Sequence, residues 1–475
     1  MHHFARSLVP AGARHLLPRA PKRVVIVGGG PTGLFCADRL RHHFQVTVVD
    51  SKEFFEFTPS ILRALADPPH LSRITFDYRE VLEGQLGVEF VLGQATKIDA
   101  PSLGFAGSGG SASGSGTIAT NGRGSLTVEP TVGSVREETR MSFDYCVVAV
   151  GVANGLWKPR AVEELSGPTA MSSSSTARPT SQKPPQSVPV LPPGPGGPGS
   201  ALDERRLDGR RRNLQLLHEK LANAPGAVVV GAGLVGVELA AELAHFFPRL
   251  KVTLVDGAAH VLPQLADPAR DYTMEFFAKQ GVKLRLGQPF VPELVSEGEV
   301  VLWCVGTKPR ASELFVDRSV LRSNGQIRVN KRMQVLSSSH MGLTSVEELT
   351  HGVVLQPLGQ GQIFAIGDAA SVEGVPLAQM IFHGEEMASI AVANIEAAEN
   401  VASPISLGVA KKEAEVGQPL LACTSLGPQD GMFSTQSELV ATGALAAIQK
   451  QVIEATKMGA LQGDPLSSLL WLPVH

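Results

Sequence analysis

The sequence predicts an α/β fold with two Rossmann-like domains and a small C-terminal domain. The prediction rests on a glycine-rich signature that occurs twice and on an acidic residue that ends the next strand each time. The first copy runs from Val24 to Gly33, and the strand after it ends at Asp50. The second copy runs from Val228 to Gly236, and the strand after it ends at Asp256. A lone glycine-rich loop is weak evidence, but two complete strand-loop-helix-strand units indicate that one chain binds two dinucleotides.

Each glycine of the signature has its own predicted role. The first permits a tight turn, the second lets a pyrophosphate approach the backbone, and the third lets helix and strand pack closely. The carboxylate at the end of the following strand accepts hydrogen bonds from a ribose diol. The predicted contacts of the first dinucleotide are Gly28, Gly30, Pro31, Thr32, Gly33 and Asp50, and those of the second are Gly231, Gly233, Gly236 and Asp256.

The composition is that of a globular protein. Of 475 residues, 43% are hydrophobic and 18% are charged, which allows two or three domains with cores of their own. The formal net charge of −3 argues against a nucleic-acid partner, since such proteins carry a clustered basic excess. No apolar run approaches the roughly 20 residues that span a bilayer.

The cysteines exclude one class of redox chemistry. Cys36, Cys146, Cys304 and Cys423 are far apart in sequence, so neither a disulfide framework nor a metal site is predicted. A redox-active C-x-x-C or C-x-x-x-x-C pair is missing from the sequence as well. Cys146 and Cys304 fall in apolar strand runs, which predicts inert buried thiols.

Along the chain, strands and helices alternate with two low-complexity stretches. A buried strand is predicted over 143–151, a basic helix over 207–221 and a further apolar strand from Val300 to a turn at Pro309. Residues 104–125 are rich in glycine and serine, and residues 166–200 are rich in serine, proline and glycine. Both stretches are predicted to be disordered insertions, because they bury too little apolar surface to offset their conformational entropy.

The two ends of the chain differ from the middle. Residues 1–21 form a basic extension, which suits either an organellar transit peptide or a basic tail. A late helix is predicted over 378–398, and an amphipathic tail helix over 437–458. The tail helix either lies on a membrane or packs as an ordinary helix on the first domain or on a dimer partner.

The order of these motifs resembles that of the two-dinucleotide flavoprotein reductases. The matching segments are the two signatures, the strand end at Gly151, the strand end at Gly306 and the segment that contains Gly367 and Asp368. The resemblance implies FAD on the first unit and NAD(P)H on the second, with the second domain inserted in the first. It also implies that Asp368 contacts the ribityl-phosphate part of the flavin.

The implied domain bounds follow from these motifs. They are 22–222 for the first part of the FAD domain, 223–325 for the NADH domain, 326–400 for the second part of the FAD domain and 401–475 for the C-terminal domain.

Shorter motifs narrow the resemblance. The Phe57-Thr58-Pro59 segment and Ala378-Gln379 resemble type II NADH:quinone oxidoreductases. Residues 390–395 and 425–431 resemble the apoptosis-inducing-factor-like ferroptosis suppressor family.

The chain departs from the ferroptosis suppressor family at two positions. The chain begins Met1-His2 where lipid-anchored members begin Met-Gly, so myristoylation is not expected. Gln379 stands where some members carry a lysine beside the flavin.

The function implied is an FAD-dependent oxidoreductase that passes a hydride from NADH to flavin and then electrons to a quinone. Asp256 would repel the 2′-phosphate of NADPH, and no arginine follows in 257–259, so NADH is expected as the donor. The alternatives are the same fold with a ferredoxin-type protein or monodehydroascorbate as acceptor, or an FAD-bound sensing or interaction protein with little turnover. A mitochondrial or other organellar location is expected, and otherwise a cytoplasmic one or one peripheral to a membrane.

Three side chains are candidates for the chemistry. Glu238 matches a family glutamate near the nicotinamide ribose, although a helix start often carries an exposed acid. Gln379 is expected beside the flavin on the acceptor side, or else as a plain polar residue at a helix N-terminus. His383 is placed one helical turn further on, where it either donates a proton to a quinone or is simply packed.

Overall fold

The computed structural model describes residues 21–101, 122–131, 137–153, 203–305, 307–338, 354–401, 412–416 and 420–471. Residues 1–20 of the basic extension, residues 104–121 of the first predicted insertion, the predicted insertion 166–200 and Gly306 lie outside the described residues.

Helices and strands alternate over most of the described chain. The helices are α1 (Pro31–Leu40), α2 (Ile61–Ala66), α3 (Leu207–Asn223), α4 (Leu234–Phe246), α5 (Asp267–Gln280), α6 (Ile381–Ala398), α7 (Ala444–Leu461) and α8 (Pro465–Leu470). The strands are β1 (Arg23–Val27), β2 (Gln45–Asp50), β3 (Phe54–Glu56), β4 (Thr75–Asp77), β5 (Glu89–Leu92), β6 (Gln94–Asp99), β7 (Gly124–Glu129), β8 (Thr139–Phe143), β9 (Tyr145–Val148), β10 (Val152–Ala153), β11 (Gly226–Val230), β12 (Lys251–Val255), β13 (Lys283–Arg285), β14 (Val300–Trp303), β15 (Lys308–Pro309), β16 (Ile327–Val329), β17 (Leu336–Ser338), β18 (Leu355–Pro357), β19 (Ile363–Ala365), β20 (Ala370–Val372), β21 (Ala422–Ser425), β22 (Gly431–Ser434) and β23 (Leu439–Thr442).

The first nucleotide-binding unit is a parallel sheet in the order β19-β9-β1-β2-β5, with α1 and α6 packed on each other beside it. Its central strand β1 is a run of valine and isoleucine that is buried after Arg23, as expected for a parallel strand covered on both faces. Strand β19 follows the second unit in sequence but pairs with β9 of the first sheet. The second unit is therefore inserted in the first, as the sequence predicts.

The second nucleotide-binding unit is a parallel sheet in the order β13-β12-β11-β14. Strand β11 is buried along its whole length, and α4 follows it directly. The basic helix α3 leads into this unit and begins where the sequence predicts, at Leu207. Both units therefore present a glycine loop at the carboxyl end of a buried central strand, where α/β sheets bind their ligands.

A buried ion pair anchors α3 to the first unit. The Arg210 guanidinium donates to both oxygens of Glu56, at 2.9 and 3.3 Å, and to Glu204 at 3.1 Å. Both Arg210 and Glu56 side chains are 2% exposed. Removing one partner of such a pair typically costs about 3–5 kcal/mol, because the other charge stays buried.

The C-terminal unit (residues 420–471) differs from its prediction. The tail helix was predicted over 437–458, whereas residues 439–442 form β23, which pairs with β22. Gly443 has a positive φ of 73° and separates β23 from α7, which runs from Ala444 to Leu461. The apolar spacing of the helix continued into residues 439–443, so the prediction wrongly included a strand and a glycine turn in the helix.

Three other boundaries were wrong. Gly124 and Ser125, assigned to the first insertion, begin β7; Gly124 fits because an added Cβ would lie 2.3 Å from the Phe143 ring. The strand over 143–151 is interrupted at Asp144, where β8 ends and β9 begins. Helix α6 begins at Ile381 rather than at Ala378, because His383 Nδ1 lies 3.1 Å from the Ala378 amide nitrogen and holds that segment outside the helix.

Within the described residues, no helix combines the length and apolar character needed to cross a membrane. The same part of the chain holds no cluster of three or more histidine, cysteine, aspartate or glutamate side chains suited to a metal ion.

Candidate active site

All three units contribute to a cavity of about 690 Å³. The first unit supplies its glycine loop, the ends of β2 and β9 and the segments before α6. The second unit supplies the first turns of α4, and the C-terminal unit supplies one face of α7. The lining includes Gly28, Gly30, Pro31, Thr32, Asp50, Gly151, Asp368, Gln379, Leu234, Val235, Glu238, Cys304, Phe433, Lys450, Ile453, Glu454, Lys457 and Trp471.

The first glycine loop has the geometry that the signature predicts. Gly28 has φ +106°, and a side chain there would meet the Ala149 carbonyl oxygen at 2.5 Å. A Cβ on Gly33 would lie 2.0 Å from the Gly28 oxygen, so α1 packs directly on the turn. Around Gly30, by contrast, no atom of the described residues lies within 4 Å of an added Cβ. The middle glycine therefore faces open space, where a pyrophosphate would need close access.

The acid at the end of β2 also holds this loop. Asp50 Oδ2 accepts from the Gly29 amide at 2.8 Å, and Oδ1 accepts from the Lys52 amide at 2.9 Å. The Tyr78 hydroxyl donates to the Gly29 carbonyl at 2.8 Å. Burial, followed by the charge of Asp50, raises the pKa of Tyr78 well above its ordinary value, so the phenol stays a donor. Sequence reasoning missed Tyr78, since nothing in its local pattern points to a loop 49 residues away.

The second glycine loop repeats this geometry. Gly231 has φ +112°, and a Cβ on Gly236 would lie 1.7 Å from the Gly231 oxygen. Gly233 is again open, with no described atom within 4 Å of an added Cβ. Asp256 accepts from the Ala232 amide at 2.6 Å and from the Ala258 amide at 2.7 Å. Both acids therefore fix their loops in the same way and keep lone pairs for a further donor.

The predicted flavin-side residues lie together. Gly151 has φ +64° and lines the cavity after β9. Gly367 has φ +66°, and a Cβ there would lie 3.2 Å from Thr32 Oγ1, so the two loops touch. The Asp368 carbonyl accepts from Gln326 at 3.0 Å and from Gln379 at 3.4 Å. These contacts bring the late Gly-Asp segment onto the first glycine loop.

The sequence analysis expected His383 one helical turn after Gln379, but only His383 lies in the helix. Gln379 lies before α6, is exposed and lines the cavity. His383 lies inside α6, is 3% exposed and is not among the cavity-lining residues. Its Nε2 is buried and finds no hydrogen-bond partner in the part of the chain that the structure describes.

Glu238 lies on α4 at the cavity wall and is tied to the C-terminal unit. One of its carboxylate oxygens accepts from the Ser425 amide at 2.8 Å and from the Lys450 ammonium. Arg63 of α2 donates to Glu242, one turn along the same helix, and to the Ser425 hydroxyl. These bonds join the three units at the edge of the cavity.

The charged face of α7 was not recognised from the sequence. Lys450, Glu454 and Lys457 all line the cavity. Their spacing of four and three residues places them on one face of the helix, and this was the signal available. Lys457 donates to Glu385 of α6 and lies 3.5 Å from the centre of the Trp471 ring. Burial raises the pKa of Glu385 and lowers that of Lys457, while their mutual attraction opposes both shifts.

The buried cysteines are poor nucleophiles. Burial raises the pKa of Cys146 to about 12 and raises the pKa values of Cys36 and Cys304 as well. Little thiolate therefore forms at neutral pH, and the thiolate is the reactive species. Cys304 was predicted to be buried, but it is only partly buried and lines the cavity against Gly236.

Known proteins resemble this chain in sequence. A family model described as pyridine nucleotide-disulphide oxidoreductase matches residues 22–341. Apoptosis-inducing factor homolog B of Dictyostelium discoideum is 22% identical over 448 residues, which cover 86% of this chain and 89% of that protein. Alternative NAD(P)H-ubiquinone oxidoreductase C1, chloroplastic/mitochondrial, of Arabidopsis thaliana is 24% identical over 384 residues, or 74% of this chain and 62% of that protein.

The fold is also found among solved structures. NDH2 from Plasmodium falciparum, solved in complex with NADH, superposes with a TM-score of 0.59 at 11% identity. The match covers 95% of this chain and 99% of that one. At this identity the likeness establishes the architecture of two nucleotide-binding units and a C-terminal unit.

Proposed function

The chain belongs to the pyridine nucleotide-disulphide oxidoreductase family, and within that family we propose that it is an FAD-dependent enzyme that oxidises NADH and reduces a quinone. One observation carries the proposal. The cavity over the first glycine loop also contains Glu238 and the first turn of α4, which follows the second loop. Ligands of the two units can therefore meet in one cavity.

The first unit fits FAD. The open space at Gly30 admits a pyrophosphate, the adjoining α1 N-terminus favours its negative charge, and Asp50 can accept from a ribose. Thr32, Gly151 and Asp368 continue along the same cavity and would hold the rest of the molecule. FAD bound there would supply the redox chemistry, taking a hydride from the donor and passing electrons to the acceptor. The protein itself then binds, orients and excludes water.

The second unit fits NADH. Gly233 is open in the same way as Gly30, and the N-terminus of α4 favours the pyrophosphate. Asp256 would accept from the adenosine ribose and repel a 2′-phosphate. Gly257, Ala258 and Ala259 offer no cation to that phosphate. Glu238, which is anchored by Lys450 and Ser425 and lines the cavity, would contact the nicotinamide end.

The C-terminal unit has a surface that suits a lipid-soluble quinone as the electron acceptor. On helix α7, the side chains that line the cavity are Lys450, Glu454 and Lys457. Three apolar side chains of the same helix, Leu445, Ile448 and Val452, are 54% to 68% exposed. Leu466, Leu469 and Leu470 of α8 are also exposed. Such an apolar surface favours contact with a membrane surface. Supporting this acceptor, the Arabidopsis relative is named as a ubiquinone oxidoreductase, and the sequence lacks the paired cysteines of disulfide chemistry.

Anaerobic stopped-flow spectroscopy tests the proposal. The purified yellow protein is mixed with NADH, and a short-chain ubiquinone is added once the flavin absorbance has bleached. We expect bleaching by NADH followed by rapid recovery on adding the quinone. Bleaching that the quinone does not reverse would reject the acceptor and keep the reductase. A purified protein without bound flavin would reject the proposal as a whole.

A further inference from the structure

A histidine and a glutamate from two different units are paired at the cavity wall. His70 Nε2 lies 3.1 Å from Glu454 Oε2. His70 belongs to the 3₁₀ segment Pro68–Arg73, in which Pro69, Ser72 and Arg73 are exposed, while its own side chain is 5% exposed. Glu454 lies on the cavity face of α7 and is 15% exposed. The pair therefore spans from a surface segment to the interior of the cavity.

The chemistry of the proposed reaction leaves one proton to be supplied. NADH gives up two electrons and one hydrogen nucleus, whereas a quinone that becomes a quinol gains two electrons and two protons. The balanced reaction is NADH plus quinone plus one proton, giving NAD⁺ and quinol. The additional proton comes from water, since the proposed donor does not carry it.

We propose that His70 and Glu454 form the route by which this proton reaches the acceptor. The inference rests on the proposed function. His70 takes a proton from solvent and passes it to the Glu454 carboxylate, which hands it to an acceptor oxygen in the cavity. Imidazole suits the outer position because it can accept a proton at one ring nitrogen and release a proton from the other. Glu454 is the group that faces the acceptor, and His70 acts through it.

The surroundings of Glu454 favour its ionised form, so a proton placed on it is readily passed on. Burial raises its pKa, but hydrogen bonds from His70 and Ser60 and the charge of Arg63 outweigh burial and hold the pKa below its ordinary value. Glu454 is thus a carboxylate at neutral pH and an acceptor only, so His70 Nε2 carries the hydrogen between them. Arg63 is itself bound to Glu242, and Lys450 and Lys457 lie on the same face of α7.

The test compares two acceptors in one variant. Glu454→Gln keeps the size of the side chain and removes its ability to carry a proton. Ferricyanide takes single electrons and no proton, whereas ubiquinone-1 needs both. We expect the variant to slow quinone reduction by about 100-fold, the low end of what a positioned proton-transfer group contributes. Flavin bleaching by NADH and ferricyanide reduction should stay within about twofold of the wild type, since neither step needs this proton.

Two further variants make the result decisive. His70→Gln should give the same selective loss of quinone reduction, with flavin bleaching and ferricyanide reduction unchanged, because the amide cannot pass a proton on to Glu454. Glu399→Gln is the matched control, because it removes a part-buried carboxylate that accepts from Tyr145 and is not among the residues lining the cavity. Equal slowing of both acceptors, or of neither, in Glu454→Gln would overturn the proton route. A wild type that reduces ferricyanide but not quinone would instead overturn the proposed acceptor, and the route with it.

Discussion

The two nucleotide-binding units have nearly the same loop and very different surroundings. Their first glycines have φ values of 106° and 112°, their middle glycines are open, and their acids accept from equivalent amides. Yet Gly30 and Asp50 line the cavity, whereas Gly233 and Asp256 are not among its lining residues. The signature therefore fixes the shape of the loop, while the surrounding units decide whether the loop lines the cavity.

The two loops also differ in the group that donates a hydrogen bond to the carbonyl after the first glycine. In the first unit the carbonyl after the first glycine is capped by the buried Tyr78 side chain. In the second unit the equivalent Ala232 carbonyl accepts from the Leu262 backbone amide at 2.8 Å. The residue two positions past the last glycine is Phe35 in the first unit and Glu238 in the second. We expect a retained nucleotide in the first unit and an exchangeable one in the second.

The largest effect is expected from alanine at the two open glycines. Gly30 and Gly233 have φ values of −67° and −74°, which alanine adopts without strain. Gly30→Ala should lower the affinity for FAD by about 100-fold, or about 2.8 kcal/mol, because the methyl group occupies the pyrophosphate position. Gly233→Ala should keep its flavin and lose NADH affinity to a similar degree. Flavin absorbance after gel filtration and NADH titration measure the two losses.

The melting temperature of the nucleotide-free protein is the control for this pair. Both variants should melt within a few degrees of the wild type, since no described atom opposes either added methyl group. A Gly233→Ala protein that loses its flavin would break the comparison, because it would mean that the units do not bind separately.

The next effect concerns the acid of the second unit. Asp256→Ala should change the ratio of NADPH to NADH activity by about tenfold or more in favour of NADPH, since the charge that repels a 2′-phosphate is gone. The variant also loses two backbone hydrogen bonds, so activity with both nucleotides should fall. Steady-state kinetics with each nucleotide give the ratio, in which this shared loss cancels. An unchanged ratio would contradict the role of Asp256.

A smaller effect is expected at the position where the two units differ most. Glu238→Gln keeps the side-chain shape and removes the charge that Lys450 contacts. We expect flavin content to be unchanged and the rate of flavin bleaching by NADH to fall about tenfold, or about 1.4 kcal/mol. Stopped-flow reduction measures this rate. Full activity in this variant would mean that Glu238 only joins the units.

The smallest effect is expected at Cys304, the thiol beneath the second loop. Burial raises its pKa, so the thiolate fraction at neutral pH is below that of an ordinary cysteine. Cys304→Ser should keep quinone reduction within about twofold, since the neutral thiol is not a nucleophile. Raising the pH toward 9 should increase thiol alkylation only slightly. A large loss of activity would contradict this prediction and would indicate that the Cys304 thiol takes part in the reaction.

The sequence was sufficient for features set by local chemistry. The tight turn and the close helix packing of both glycine loops follow from backbone demands at single positions, and the structure has both features. Features that depend on distant partners were not predictable. Tyr78 on the Gly29 carbonyl and Arg210 between Glu56 and Glu204 join residues from separate segments.

The tail shows a third case, in which two structures suit one pattern. Val440, Ala441 and Thr442 suit a strand, but their spacing also continued the apolar face of α7. These residues form a strand because they pair with β22 and because Gly443, which has a positive φ, separates them from α7. The cavity face of α7 was hidden for a related reason, since charged residues on an amphipathic helix usually face solvent.

The nucleotide stoichiometry of the purified protein tests the central claim most directly. Flavin released from the gel-filtered protein is quantified, and NADH binding to the same protein is then measured by equilibrium dialysis without an acceptor. Two distinct units predict about one retained FAD and about one exchangeable NADH per chain, with neither displacing the other. NADH that displaces the FAD, or a chain that holds only one nucleotide in total, would contradict the account.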